Sequence, residues 1–372
     1  MIRRIACITL LILMLSIPVS AKESYKDEFL KEQYKNSGAD DLENYLPEDT
    51  REFMKENGLV PEANEILDSI TAENVFSHIW GFLKGGIKTP IACGGGVLAV
   101  ILISAVISSS SNGVTVQSCN YASVISAAAV IIVPVYSVIK SGVDAMQSSS
   151  VFMTAFIPVF AIVTAASGGV ASGTAMSALL LTASQAVSFI ANFIVLPLMA
   201  GYLGISIASS VSPVVLKTGI ADGIKKIAFW TMSLTSTVFI GILSIQTAVT
   251  SATDTLTTKT AKFVIGSAVP VAGTALSEAL TTVTASMGIL KTGIGLYGVI
   301  ACALIFLPLI AEMLLWRLML NITSAVSDLF SGSGISAILR SVDTVLSVLI
   351  GIILLIGAVF IISLTVVVNV TK

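Results

Sequence analysis

A long run without charged side chains constrains this sequence more than any other feature. Between Ala145 and Leu216 there is no Asp, Glu, Lys, Arg or His. About 20 mostly apolar residues are enough to cross a bilayer as a helix, so this run is long enough for several crossings. Of the whole chain, 11% is charged and 55% hydrophobic, whereas soluble domains carry about 25% charged residues. The sequence therefore predicts a membrane protein that crosses the bilayer several times.

Hydropathy divides the chain into predicted spans, so the fold class we predict is an all-α polytopic helix bundle. The spans cover residues 91–109, 121–139, 151–167, 174–191, 193–211, 227–250, 293–315 and 344–369. The segment Phe263–Leu290 either spans once or enters and leaves on one side as a re-entrant segment, so the count is about seven to eight. The polar stretches that hold Asp144, Asp222 and Asp254 are expected to be loops between spans.

The N-terminus has the layout of a secretory signal peptide. Two arginines precede a short apolar core, and Val19-Ser20-Ala21 supplies small residues at a cleavage point. We expect cleavage after Ala21; the alternative is an uncleaved first membrane anchor. The predicted domains are therefore a signal peptide over 1–21, an acidic extracytoplasmic segment over 22–88 and a multi-span membrane domain over 89–372.

The segment 22–88 is the only long polar part of the sequence. Of the 22 acidic residues, 15 lie between Lys22 and Glu73. Pro47, the acids that follow it and Gly58 predict a short helix with a defined start and stop. Apolar side chains three and four residues apart over 71–88 predict an amphipathic helix on the outer membrane surface. No basic cluster occurs anywhere in the chain, so nucleic-acid binding is not predicted.

The predicted spans are rich in glycine and proline. Gly169 and Gly173 form a GxxxG step, a spacing that lets two helix backbones approach closely. Prolines such as Pro134 and Pro158 kink membrane helices where neighbouring groups satisfy the freed carbonyls. We interpret both features as packing within a helix bundle, with a binding site as the alternative.

The chain lacks the motifs of the enzyme classes that it could otherwise belong to. Gly293-Ile-Gly295-Leu-Tyr-Gly298 has the letters of a dinucleotide fingerprint, but it opens an apolar span, so we interpret it as helix packing. The letters GFLKGGIKT from Gly81 resemble a P-loop, but Ile87 displaces the lysine by one position. One histidine, and three cysteines beyond the signal peptide in or beside apolar runs, predict neither a metal site nor a disulfide framework. We expect no enzymatic activity, no cofactor and no metal.

Two acids lie within the apolar part of the sequence, Glu278 and Glu312. A charge at the bilayer centre costs about 2.5–3.5 kcal/mol on insertion scales, so such a residue usually has a partner or a function. Three interpretations of Glu278 stay open. It forms an ion pair with Lys291 or Lys262, it lies solvent-exposed at the membrane surface, or it binds or relays an ion or proton. For Glu312 we predict a structural ion pair with Arg317.

The segment around Glu278 holds a distinctive set of residues. They are Lys262, Gly266-Ser267-Ala268, Pro270-Val271, Gly273, Leu276-Ser277-Glu278-Ala279 and Thr282-Val283. This stretch resembles the most characteristic part of the stage III sporulation protein AE family. The rest of the chain is similar to that family in outline, with a signal peptide, an acidic segment with a short helix, and a long multi-span region that ends in an apolar helix.

The resemblance implies a role in endospore formation. The family is a polytopic component of the channel, or feeding-tube, complex that joins the mother cell to the engulfed forespore. The implied location is the mother-cell-derived membrane that surrounds the forespore. The implied partners are ring-forming membrane proteins similar to those of specialised secretion systems, a cytoplasmic secretion-type ATPase and a partner in the forespore membrane. Within that complex the chain would be a permease-like or export-gate-like core. The alternative is an ion-coupled secondary transporter that works alone.

Overall fold

The structure is a computed structural model that describes residues 30–59, 72–110, 113–211, 219–268, 273–330 and 333–370. All the regular elements in these ranges are helices, which confirms the predicted all-α class. Residues 30–37 are helical. The elements that follow are a 3-10 helix (Ala39–Tyr45), α1 (Glu48–Glu56), α2 (Ala72–Gly86), α3 (Lys88–Ser110), α4 (Val114–Ala166), α5 (Val170–Ile190), a π-helical segment (Ala191–Val195), α6 (Leu196–Val211), α7 (Gly219–Ala268), α8 (Gly273–Leu329) and α9 (Ser333–Val370). The predicted signal peptide, 1–21, lies outside the described residues.

Both helices predicted in the polar segment are present. Helix α1 begins directly after Pro47, and Gly58 beyond its end adopts a left-handed φ of 63°. Glycine adopts this conformation without a steric penalty, which explains why the helix ends there. Helix α2 covers most of the predicted amphipathic stretch. Its exposed Phe76 and Trp80 rings stack with their centroids 6.2 Å apart.

The helices of the membrane part are much longer than a bilayer is thick. Helix α4 has 53 residues and α8 has 57, so each is about 80 Å long at a rise of 1.5 Å per residue. The hydrocarbon layer of a bilayer is only about 30 Å thick. Six helical segments of the described chain are long and apolar enough to cross a membrane. The chain is a polytopic bundle whose helices extend beyond the hydrocarbon layer.

Several connections predicted between spans are helical instead. Residues 140–150 lie inside α4 with Asp144 exposed on its surface, Asp254 lies inside α7, and Asp222 is in the first turn of α7. The fourth and fifth predicted spans also form one helical run, from α5 through the π-helical segment into α6. The prediction of loops was wrong because charged side chains that point outward cost a helix little, whereas proline and glycine are the residues that interrupt it.

The centre of the bundle is formed by α4, α8 and α9. Helices α4 and α8 run antiparallel. Phe156 lies against Gly298, whereas Gly142, nearer the start of α4, lies against Met313, nearer the end of α8. Phe156 is completely buried. Helix α9 returns along α8, and each of the three helices packs against the other two.

Helices α7 and α8 form a hairpin that reaches the turn between α4 and α5. The Thr258 hydroxyl of α7 donates a hydrogen bond to the Gly168 carbonyl at 3.4 Å, and Thr284 of α8 lies 4.0 Å from the Cβ position of Gly168. Apart from residues 269–272, which lie outside the described residues, Phe263–Leu290 consists of the end of α7 and the first turns of α8. The described residues of this segment therefore belong to the ends of two long helices.

The GxxxG step produces the close helix contact that the sequence predicts. A Cβ atom on Gly173 of α5 would lie 2.8 Å from the carbonyl oxygen of Ala161 and 3.2 Å from the amide nitrogen of Ala165, both on α4. The GxGxxG letters lie within α8, where Gly298 leaves room for the Phe156 ring. Both glycine patterns therefore serve helix packing, as predicted.

Candidate functional site: buried charges between the membrane helices

The carboxylate of Asp254 on α7 caps the start of another helix. It is 5% exposed. Its Oδ1 accepts a hydrogen bond from the amide of Ala171 at 2.8 Å, and its Oδ2 accepts one from the amide of Ser172 at 2.9 Å. These amides belong to the first turn of α5, where N–H groups have no partner inside the helix and the helix dipole is positive. One carboxylate thus satisfies two backbone donors and holds α7 to α5.

A buried cation lies near this cap. Lys291 of α8 is 1% exposed, and its ammonium interacts electrostatically with the Asp254 carboxylate. The neighbouring Ser172 hydroxyl is also buried and, within the described ranges, has no hydrogen-bond partner. A carboxylate, an ammonium group and a hydroxyl are thus buried on three neighbouring helices, α7, α8 and α5. Such a group can hold a proton or a small ion, and its charges are costly to bury unless they compensate each other.

The structure separates Glu278 from its predicted partner Lys291. Both residues lie on the continuous helix α8, thirteen positions apart, which corresponds to about 20 Å along the axis. Glu278 is exposed whereas Lys291 is buried, so the predicted Glu278–Lys291 pair is wrong. Gly273 is the first residue of α8. Pro270 and the side chain of Lys262 are not among the described parts, so the other interpretations of Glu278 stay predictions.

The predicted pair of Glu312 and Arg317 is also wrong. Arg317 instead donates from Nε to Oδ1 of Asp343 on α9 at 2.8 Å, and the Asn321 amide donates to the same oxygen at 3.3 Å. Residues five apart on a helix lie on different faces, so Glu312 cannot align with Arg317 as a residue three or four away would. The carboxyl carbon of Glu312 lies 3.9 Å from the Cβ position of Gly86 on α2.

The Arg317–Asp343 pair should contribute more to stability than the other ion pair of the α8–α9 hairpin. Its side chains are 31% and 19% exposed, whereas those of Arg340 and Asp328 are 66% and 42% exposed. We expect Asp343→Ala to destabilise the protein by about 1.5–3 kcal/mol, because a charged hydrogen-bonded group loses its partner. Asp328→Ala should cost at most about 1 kcal/mol, because exposed pairs are weak. Thermal unfolding in detergent measures the effect of both substitutions. Equal decreases in melting temperature for Asp343→Ala and Asp328→Ala would contradict the expectation.

Sequence reasoning missed Asp254. The stretch around it is rich in Ser and Thr and was interpreted as a loop. The spacing of Thr250, Asp254 and Thr258 could have identified the site, because residues four apart share one face of a helix. In the structure Thr250 and Asp254 are buried and Thr258 bonds to the α4–α5 turn.

The P-loop-like letters from Gly81 lie in α2 and α3. A P-loop needs a strand followed by a loop whose amides surround the phosphates, and a helix does not present its amides in that way. Within the described ranges, no three His, Cys, Asp or Glu side chains lie close enough together to hold a metal ion.

Comparison with known proteins identifies the family. The model of the family described as stage III sporulation protein AE matches residues 59–371. A relative of that name from Bacillus subtilis (strain 168) is 30% identical over 161 residues, which is 43% of this chain and 40% of the relative's length. No solved structure matches the chain. Because the family model covers most of the sequence, this protein belongs to the stage III sporulation protein AE family and has a role in sporulation.

Proposed function

We propose that the protein is a non-enzymatic membrane subunit of the channel complex that joins the mother cell to the forespore, with a permease-like or export-gate-like role. The observation that carries the proposal is the group of Asp254, Lys291 and Ser172 between α5, α7 and α8. Charges inside a membrane bundle are expensive, and they mark pathways for ions or substrates more often than ordinary packing. Membership of a sporulation family supplies the context in which such a subunit would act.

The proposed complex supplies what this chain lacks. Its ring-forming membrane proteins, its cytoplasmic secretion-type ATPase and its forespore-membrane partner would provide the passage through the envelope and the energy. The proposed location is the mother-cell-derived membrane around the forespore. The sequence has no P-loop motif of its own, so in this proposal energy comes from the ATPase or from an ion gradient.

A second candidate function is ion-coupled secondary transport by this chain alone. The buried Asp254 and Lys291 favour it, because transporters commonly place compensating charges inside the membrane. The two proposals differ in whether the isolated chain moves a solute. In the first the chain needs its partners, and in the second it does not.

Purification from sporulating cells tests the first proposal. We expect the tagged protein, extracted in a gentle detergent, to co-purify with a secretion-type ATPase and ring-forming membrane proteins identified by mass spectrometry. Recovery of the folded protein without partners would contradict it. In proteoliposomes that contain only this chain we expect no uptake driven by an ion gradient. Uptake that Asp254→Asn abolishes while the protein stays folded would instead support the transporter.

A further inference from the structure

Two cavities with different linings lie side by side between the same three helices; their lining positions are successive along α4 and interleave along α6 and α9. The first has a volume of about 460 Å³ and lies between α4, α6 and α9, with contributions from α3 and α7. The second has a volume of about 550 Å³ and lies between α4, α6 and α9. The first carries many polar side chains among its lining residues, whereas the second is lined almost entirely by apolar ones. Neither cavity includes the Asp254–Lys291 site.

The polar cavity is built for hydrogen bonding without positive charge. Its walls carry serine hydroxyls, two side-chain amides, two phenols and one carboxylate, Asp222, and the described residues that line it include no Lys or Arg. The Ser209 hydroxyl is buried and has no hydrogen-bond partner among the described residues. A ligand group that donates hydrogen bonds could therefore bind here, and an amine would be attracted by Asp222. Of the described residues that line the cavity, Asp222 is the charged one, so a group with net negative charge would be disfavoured beside it.

The apolar cavity opens towards the outside of the bundle. Its floor includes Ile131, Val135 and Val342, and its rim includes Tyr136 and Ile132, which are 67% and 48% exposed. In a membrane, the exposed rim of an apolar groove faces lipid chains. A hydrocarbon chain can therefore enter this groove from the side, and its burial needs no polar partner.

The two cavities are aligned end to end along one face of α4. The lining positions recur every three or four residues from Gln117 to Ile139, as residues on one helix face do. The apolar part runs from Ala128 to Ile139, about 16 Å along the axis. Half of a hydrocarbon layer of about 30 Å is about 15 Å. The groove thus has the length of one leaflet, with the polar cavity beyond its end.

We propose that the paired cavities bind one membrane lipid. Its acyl chain lies in the groove between α4 and α6, and its head group lies in the polar cavity beside Asp222 and Ser209. The head group carries hydroxyl or amine donors and no net negative charge. This inference does not depend on the channel role, because a lipid site of this kind serves equally in a subunit of a complex and in a separate transporter.

Lipid retention after purification tests the proposal, with a groove-filling variant and a matched control. A Cβ atom on Gly204 or on Gly201 would meet nothing within 4 Å, and both glycines lie on α6, but only Gly204 lines the apolar cavity. We expect Gly204→Phe to reduce the lipid bound per protein in native mass spectrometry by about tenfold, because excluding even two methylene groups has that effect on affinity. Gly201→Phe should retain lipid as the unaltered protein does.

Adding defined lipids to the delipidated protein tests the head group. We expect phosphatidylethanolamine to raise the melting temperature more than phosphatidylglycerol does, and Asp222→Asn to remove that difference. Equal retention by the two glycine variants, a response to phosphatidylglycerol as large as to phosphatidylethanolamine, or a second copy of the chain bound in place of lipid would overturn the proposal. The comparison of the two lipids uses the unaltered protein, so it tests the proposed lipid site even if Gly204→Phe does not fold.

Discussion

Asp254→Ala is expected to destabilise the protein by about 3–5 kcal/mol, the cost of breaking a buried charged interaction and of leaving two buried backbone amides without their acceptor. The substitution removes the acceptor of two backbone amides at the start of α5, and it removes the carboxylate that compensates Lys291. It also releases the contact between α7 and α5. The loss should appear as a large drop in the apparent melting temperature of the detergent-solubilised protein.

Three further variants separate the causes of this effect. Asp144→Ala removes an exposed carboxylate from α4 and should change the melting temperature little. Asp254→Asn keeps one oxygen that can accept from α5, so its effect should be smaller than that of Asp254→Ala. Adding Lys291→Met to Asp254→Asn should recover part of the stability, because the buried ammonium is removed together with the carboxylate charge that interacts with it. Similar losses for Asp144→Ala and Asp254→Ala would contradict the assignment of Asp254 as a buried cap.

Gly173→Ala should destabilise the protein by about 1–3 kcal/mol through overpacking. Alanine is normally the better helix former, by about 1 kcal/mol. At Gly173, however, the added methyl group would lie 2.8 Å from the Ala161 carbonyl oxygen. The neighbour is backbone and cannot rotate away, so α4 and α5 must move apart.

Gly201→Ala is the matched control for this prediction. It changes the same residue type inside a helix, but a Cβ atom there meets nothing within 4 Å. We expect its melting temperature to stay the same or rise, because only the helix propensity changes. A higher melting temperature for both Gly173→Ala and Gly201→Ala would show that α4 and α5 are not held in close contact.

The residues of the candidate site were harder to predict from the sequence than the architecture. Glu278 attracted attention because it interrupts an apolar run, yet it is exposed near the start of α8. Asp254 lies in a stretch of ordinary polarity and is buried between helices. Hydropathy reports the average polarity of a segment, whereas burial depends on which face of a helix meets its neighbours.

The sequence by itself determined the helical class, the membrane character, the helix after Pro47 and the packing role of Gly173. Each follows from local chemistry, namely hydropathy over about 20 residues, the start and stop signals of a helix, or the absence of a side chain. Only the tertiary structure decided which charges meet. Arg317 pairs with Asp343, and Asp254 caps α5, because both contacts join residues on different helices whose relative position depends on the packing of the whole bundle.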